Sequence, residues 1–339
     1  MSVRVAINGF GRIGRSLLRA FYESGFGKTI EIVAINDLGA PEMLSHLFQY
    51  DSTHGKFHGT VALKKNGKES ALQVNGNMIK LLQIQKPDDL PWAKEQVDIV
   101  LECSGKFISR EGASKHISAG AKKVIIGAPA LGEVDRTVVY GVNEQLITAD
   151  DIIISMASCT TNCMAPILQD LNAEFKIVSG LFTTIHSYSS NQRLVDGIHK
   201  DPRRARSATQ SLIPTTSGAI AALEKVLPEM AGKVTGYSMR VPTLNVAAVD
   251  ITLQLQAPAT VEAINQCIKA SSKETNRLID YNELPLVSKD FYHNPASAIF
   301  DATQTIVINQ LVKIVAWYDN EWAYANRMLD IVNVLEQKI

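Results

Sequence analysis

Apolar runs and helix-spaced apolar positions alternate through the first half of the chain. Residues 3–7 form a short apolar run that predicts a strand, and Leu17, Leu18 and Phe21 within 15–24 recur at helical spacing. Residues 31–35, 97–101 and 123–126 predict further buried strands, with a helix over 109–118 between the last two. Residues 137–140 and 152–155 add two more strands. Buried strands separated by helices predict an α/β fold with a doubly wound, parallel sheet.

The pattern changes after about Ser158. Residues 176–185, 234–241, 246–255 and 311–317 are longer and partly alternating, which predicts a sheet with two differently covered faces. Residues 205–226, 261–271 and 320–336 carry helical periodicity. The expected organisation is a first domain over 1–158, to which a C-terminal helix (320–339) returns, and a second, mixed α+β domain over 159–319. Two cores suit a chain of 339 residues.

Composition narrows the function classes. Lys+Arg and Asp+Glu balance at 34 each, so charge gives no reason to expect a nucleic-acid or membrane partner. No run approaches the roughly 20 apolar residues of a membrane span. The first residues lead straight into a glycine turn rather than a signal peptide. The four cysteines (Cys103, Cys159, Cys163, Cys267) do not read as a disulfide framework, and no second ligand cluster joins the Cys159/Cys163 pair to make a metal site. A cytoplasmic location follows as an expectation.

The first strand runs into Asn8-Gly9-Phe10-Gly11-Arg12-Ile13-Gly14, a G-x-G-x-x-G between strand and helix. Gly9 suits the tight turn, Gly11 the approach of a pyrophosphate, and Gly14 the close packing of helix on strand. The pyrophosphate is expected at the helix N-terminus. The second strand ends in Asn36-Asp37, where such folds place the acid that binds the ribose hydroxyls. A carboxylate there disfavours the extra phosphate of NADP, so the expected cofactor is NAD.

The strand at 152–157 is followed by Ser158-Cys159-Thr160-Thr161-Asn162-Cys163, and a helix from about Met164 would hold Pro166 in an early turn. Cys159 at a helix N-terminus is expected to have a lowered pKa and to act as a nucleophile. His186 closes a later strand and is the candidate base. Cys163, one turn on, reads as inward packing. The remaining histidines (His46, His54, His58, His116, His199, His293) read as surface or structural.

At this point the chain resembles the glyceraldehyde-3-phosphate dehydrogenase family over nearly its whole length. The resemblance rests on INGFGRIGR, Asn36-Asp37, HLFQYDSTHGKF, ASCTTNC with Pro166, HSYSSNQRLVD followed by HKDPRRAR, MRVPT, and WYDNEWAYANRM. It implies a phosphorylating, NAD-dependent aldehyde dehydrogenase. Cys159 would form a hemithioacetal and then a thioester, with His186 as base. Arg12 and Ile13 would contact the pyrophosphate, joined in the cofactor set by Asn8, Gln85 and Gly127. Asn320 would orient the nicotinamide amide, with Tyr324 against the ring. Ser158, Ser217 and Gly218 match the site of the attacking phosphate. Ser189 and Arg204 match contacts to the substrate's own phosphate, Arg240 would serve both anions, and Thr160 belongs to the same substrate and phosphate set. A homotetramer is implied, with 181–215 reaching across an interface. From the residues alone, its basic cluster reads equally as a solvated face or an anion site.

Several positions depart from the family pattern. Ser189 and Ser217 stand where threonine is usual, Asn191 where aspartate is usual, and Gly127 in place of a hydroxyl residue. Gln85 stands where a basic residue is often found, and Ala323 replaces a glycine. The stretches 137–143, 208–214, 280–299 and 325–330 also resemble the erythrose-4-phosphate dehydrogenase branch, in which water resolves the thioester. Pro214-Thr215-Thr216-Ser217-Gly218 keeps the attacking-phosphate site and ranks the triose substrate first.

Overall fold

The computed structural model describes residues 2–67, 69–274 and 278–338. Residues 1, 68, 275–277 and 339, which fall inside the expected domain ranges, lie outside the described residues. The chain groups into two compact units, Met1–Ala157 with Ala325–Ile339, and Ser158–Tyr324.

The first unit opens with β1 (Val3–Asn8), α1 (Arg12–Glu23), β2 (Ile30–Asn36) and α2 (Pro41–Gln49). A two-residue hairpin, β3 (Tyr50–Asp51) and β4 (Gly55–Lys56), precedes the antiparallel β5 (Val61–Asn66), β6 (Glu69–Val74) and β7 (Asn77–Leu82). Then follow β8 (Ile99–Glu102), α3 (Arg110–Ser118), β9 (Lys123–Ile126), β10 (Arg136–Thr137) and β11 (Ile153–Ser155). The sheet order is β10-β11-β9-β8-β1-β2-β7-β6-β5. From β10 through β2 to β7 every pairing is parallel, the doubly wound arrangement expected; β7-β6-β5 extends it with an antiparallel edge. The central strands are apolar on both faces, as helix-covered parallel strands must be. Ala6, Val100, Val124 and Trp92 belong to one buried cluster.

The second unit begins with α4 (Cys159–Phe175), preceded by Ala157 at φ +53, a left-handed turn conformation. After it come β12 (Ile177–Ser187), β13 (Ile213–Thr215), α5 (Ala219–Val226), β14 (Val234–Val241), β15 (Ala247–Leu255), α6 (Val261–Glu274), β16 (Ile279–Asn282), β17 (Ala298–Asp301), β18 (Ile306–Ile308) and β19 (Leu311–Tyr318). The sheet order is β13-β14-β12-β15-β19-β17-β16, with β18 on β19. The alternating burial of β15 and β19 gives one face to the core. α7 (Trp322–Glu336) ends the chain; from Ala325 it belongs to the first unit, where Thr29 Oγ1 donates to Asn333 Oδ1 at 2.8 Å.

Four local expectations are corrected. The predicted strand over 137–140 shrinks to β10, because beyond Thr137 the chain turns and Val139 donates its amide to the Asn143 side chain. The predicted helix over 205–226 exists only as α5; Pro214 and the following Thr-Thr-Ser-Gly run prevent an earlier start, and Ile213–Thr215 pairs with β14 instead. α4 starts at Cys159 rather than Met164, which places Pro166 inside the helix. Residues 181–187 of the expected long loop are part of β12.

Candidate active site

In the first unit the C-terminal ends of β1, β2 and β8 face a cavity of about 750 Å³ whose lining includes Asn8, Gly9, Gly11, Asp37, Gln85 and Ser104. Gly9 has φ +94, and a Cβ there would stand 2.5 Å from the Ser104 amide nitrogen. A Cβ on Gly14 would stand 2.2 Å from the Gly9 carbonyl oxygen, so helix and loop touch backbone to backbone. Gly11 has open space around it, and as N-cap of α1 it offers no side chain to the helix. The amides at that N-terminus can therefore meet an anion. Asp37 accepts the amide of Phe10 on one oxygen and that of Gly39 on the other, each at 2.8 Å, which holds the glycine loop to the end of β2. Each carboxylate oxygen keeps a lone pair for a ribose hydroxyl. These residues fit a dinucleotide.

Two residues of the expected cofactor set are engaged within the chain. The Arg12 guanidinium is turned to Asp51, leaving its backbone at the helix N-terminus as the group that can approach a phosphate. Burial opposes ionisation of Asp51, but the His54 amide, Arg12 and the Thr53 amide outweigh it and hold its carboxyl at about 2. Gly127 packs under the Met328 side chain, which would lie 3.2 Å from a Cβ, so the space of the missing hydroxyl side chain is filled.

In the second unit α4 begins at the thiol. Ser158 caps it, accepting the Thr161 amide on its hydroxyl at 3.0 Å. Cys159 Sγ lies 3.5 Å from His186 Nε2. β12 and β14 pair in parallel with His186 opposite Arg240, and Arg240 Nη1 comes within 2.6 Å of His186 Nδ1 and donates to the Ser187 carbonyl at 3.1 Å. His186 Nδ1 also lies 2.7 Å from that carbonyl. Nδ1 thus faces both an acceptor, the Ser187 carbonyl, and a donor, the Arg240 guanidinium; in the tautomer that directs its hydrogen to Ser187, Nε2 presents its lone pair to the thiol.

Electrostatics correct one expectation. Burial pushes the Cys159 thiol above its usual 9.0, while Arg240 and the Thr160 amide pull it back. The helix terminus does not by itself make a thiolate here, because desolvation outweighs it. Burial, and after it Arg240, depress His186 to about 3, so its imidazole is neutral at physiological pH. Cys163 is fully buried and its thiol is pushed up, as inert packing should be.

A buried set of hydroxyls braces this pair, and sequence reasoning missed its centre. Tyr318 OH lies 2.8 Å from both Thr160 Oγ1 and Thr184 Oγ1, and its ring meets that of His186 edge-on. Thr160 bonds its hydroxyl to Tyr318, and both its amide and its hydroxyl pull the Cys159 thiol down. Asn320 accepts from Ser187 Oγ at 3.0 Å, and Tyr324 is buried. Ser217 and Gly218 stand at the N-terminus of α5, Ser217 lining a cavity of about 610 Å³ with Arg203, Thr215 and Thr216. Arg204 donates to Thr215 Oγ1 at 2.8 Å, and the Ser189 amide is bonded to Gln192.

A dinucleotide fold and a thiol held beside a neutral imidazole define a class, the dinucleotide-dependent dehydrogenases that work through cysteine. Comparison with known proteins narrows it. The profile of the glyceraldehyde 3-phosphate dehydrogenase NAD binding domain matches residues 3–110, and that of the C-terminal domain matches 158–320. The chromosomal glyceraldehyde-3-phosphate dehydrogenase of Cupriavidus necator is 53% identical over 331 residues, covering 97% of each chain. The Pseudomonas aeruginosa and Zymomonas mobilis enzymes of the same name are 52% and 49% identical over 97% of each chain. The chain belongs to the glyceraldehyde-3-phosphate dehydrogenase family, and its cofactor is NAD.

Proposed function

We propose that this protein oxidises glyceraldehyde 3-phosphate to 1,3-bisphosphoglycerate with inorganic phosphate and NAD. The observation that carries the reading is Cys159 Sγ at 3.5 Å from the Nε2 of a neutral His186, with Arg240 alongside. His186 Nε2 takes the thiol proton as Cys159 Sγ bonds to the aldehyde carbon, giving a hemithioacetal. Bound NAD supplies the hydride acceptor that turns this adduct into a thioester. His186 returns the thiol's proton to the former carbonyl oxygen, completing the adduct's hydroxyl, and takes it back as the hydride departs. Phosphate then attacks the thioester carbon, the C–S bond breaks, and the Cys159 sulfur leaves to regain a proton. Arg240, Arg204, Ser189, Ser158, Ser217, Gly218 and the Thr160 amide are the donors assigned to the two anions, charge-assisted contacts that suit phosphate.

In this reading Asn8, Gly9, Gly11, Arg12, Ile13, Gly14, Asp37, Gln85 and Gly127 form the NAD site, with Asn320 and Tyr324 serving the nicotinamide. Residues 1–158 and 320–339 make the NAD-binding domain, and 159–319 the catalytic and oligomerisation domain. A homotetramer is supported by apolar side chains left exposed on β12 (Val178, Leu181, Ile185) and on the loop after it (Leu194, Val195, Ile198). A cytoplasmic location belongs to the same reading; among the described residues no helix is long and apolar enough to cross a membrane.

The test follows NADH formation with glyceraldehyde 3-phosphate and with erythrose 4-phosphate, each with and without inorganic phosphate. The expected result is a larger kcat/KM for the triose with strong phosphate dependence. A preference for the tetrose that ignores phosphate would overturn the substrate assignment and leave the thiol chemistry standing.

A further inference from the structure

A buried polar chain runs from beneath the dinucleotide cavity to its wall. Glu102 ends β8 and is 1% exposed, and Trp92 and His116 are fully buried. Trp92 Nε1 donates to His116 Nδ1 at 3.1 Å, and His116 Nε2 lies 3.0 Å from Glu102 Oε2. An indole N–H only donates, so Nδ1 is the acceptor and the ring hydrogen sits on Nε2, facing the carboxylate. Asn8 Nδ2 donates to the same Oε2 at 2.5 Å, while the amide and hydroxyl of Ser104 both donate to Oε1. Each oxygen thus receives two donors. No Lys or Arg pairs with Glu102 among the described residues.

Burying an acceptor-only group so deeply, with no cation beside it, is costly and suits a place where geometry matters more than stability. Its donors are cavity wall. From Asn8 the chain continues: Asn36 Nδ2 donates to Asn8 Oδ1 at 2.8 Å, and the Asn36 side chain makes a two-way pair with the Ile84 backbone, both bonds at 2.9 Å. From Ser104 it continues to the Lys106 amide at 3.1 Å. Asn8, Asn36, Ile84, Ser104 and Lys106 all line the cavity. One carboxylate therefore sets the ends of β1, β2 and β8 and the turn that carries Gln85, at the sheet edge where such folds bind their ligand.

We propose that Glu102, oriented by the Trp92–His116 pair, is the positioning residue for the adenosine half of NAD. The inference rests on the dehydrogenase reading above. It has a consequence that packing alone does not share. In Glu102→Gln an amide nitrogen on the Oε2 side faces only donors, and His116 cannot turn an acceptor nitrogen towards it while Trp92 donates to Nδ1. Adding Trp92→Phe releases that constraint, lets the hydrogen move to Nδ1, and gives the amide an acceptor.

Isothermal titration of the intact enzyme with NAD and with ADP-ribose, alongside KM values for NAD and for the aldehyde, tests this. Glu102→Gln is expected to weaken NAD and ADP-ribose by the same factor, about tenfold, with the loss in KM for NAD rather than for the aldehyde. Trp92→Phe alone is expected to weaken both by about threefold, and the double variant to bind more tightly than Glu102→Gln alone. Unchanged affinity in Glu102→Gln, or a double variant weaker than either single one, overturns the proposal. Should Glu102→Gln fail to fold, unchanged ADP-ribose affinity in Trp92→Phe overturns it. If the unsubstituted enzyme binds no NAD, the dehydrogenase reading falls first and this inference with it.

Discussion

Replacing His186 by asparagine removes an imidazole that the fold holds neutral, and the consequence can be read in stability as a function of pH. In the fold His186 titrates at about 3 against an ordinary 6.5, because burial and Arg240 disfavour its charged form. Below 6.5 the unfolded chain binds a proton on this ring that the folded chain does not. Its contribution is therefore fully present above 6.5, erodes as pH falls, and is lost by about 3. Each unit is worth about 1.4 kcal/mol, so lowering the pH from neutral to 5 costs the wild type about 2 kcal/mol that His186→Asn does not lose. Denaturant unfolding at one fixed protein concentration measures the gap between the two proteins at pH 7 and at pH 5. The wild type should lose about 2 kcal/mol relative to the variant over that interval. A gap independent of pH, or one that moves in the wild type's favour on acidification, would refute the claim that His186 is held neutral. The same variant should lower kcat by about 10²- to 10⁴-fold, the usual worth of a general base.

Three further predictions probe other parts of the molecule. Cys159→Ala should abolish NADH formation, by about 10⁴-fold or more, while calorimetric NAD affinity persists; appreciable turnover would remove the thiol from the chemistry. Gly14→Ala should destabilise the protein by about 1–3 kcal/mol through the contact with Gly9, whereas Gly11→Ala, which meets nothing in the chain, should leave the melting temperature alone and weaken NAD binding. Equal melting shifts in the two glycine variants would contradict this division of roles. Asp51→Asn should cost about 2 kcal/mol at neutral pH, because the carboxyl is held at about 2 against 3.8. That stability is present above 3.8 and lost as pH falls through 2, so acid titration of the unfolding midpoint should close the gap between wild type and variant only there.

The sequence was enough for whatever depends on neighbours along the chain. The glycine loop between β1 and α1, the acid after β2, the Ser158 cap ahead of Cys159 and the alternation of buried strands all follow from spacing and residue type. So does the proposal of Cys159 as the nucleophile and His186 as its base. It did not determine where local signals compete. The Ala-rich stretch ahead of Val226 looks helical over 205–226, but Ile213–Thr215 gains more from pairing with β14. The folded chain set which distant groups meet. The register of β12 on β14 sets Arg240 against His186, which lies 54 positions earlier, and Tyr318 reaches Thr160 across 158. It also decided the sign of the Cys159 shift: a helix N-terminus alone argues for a low pKa, and the depth of the pocket reverses it. Glu102 and His116 look like ordinary strand-end and helix residues in sequence. Their role exists only because β8, β1 and α3 bring donors and acceptor together where water cannot follow, and desolvation and long-range pairing are properties of the folded chain.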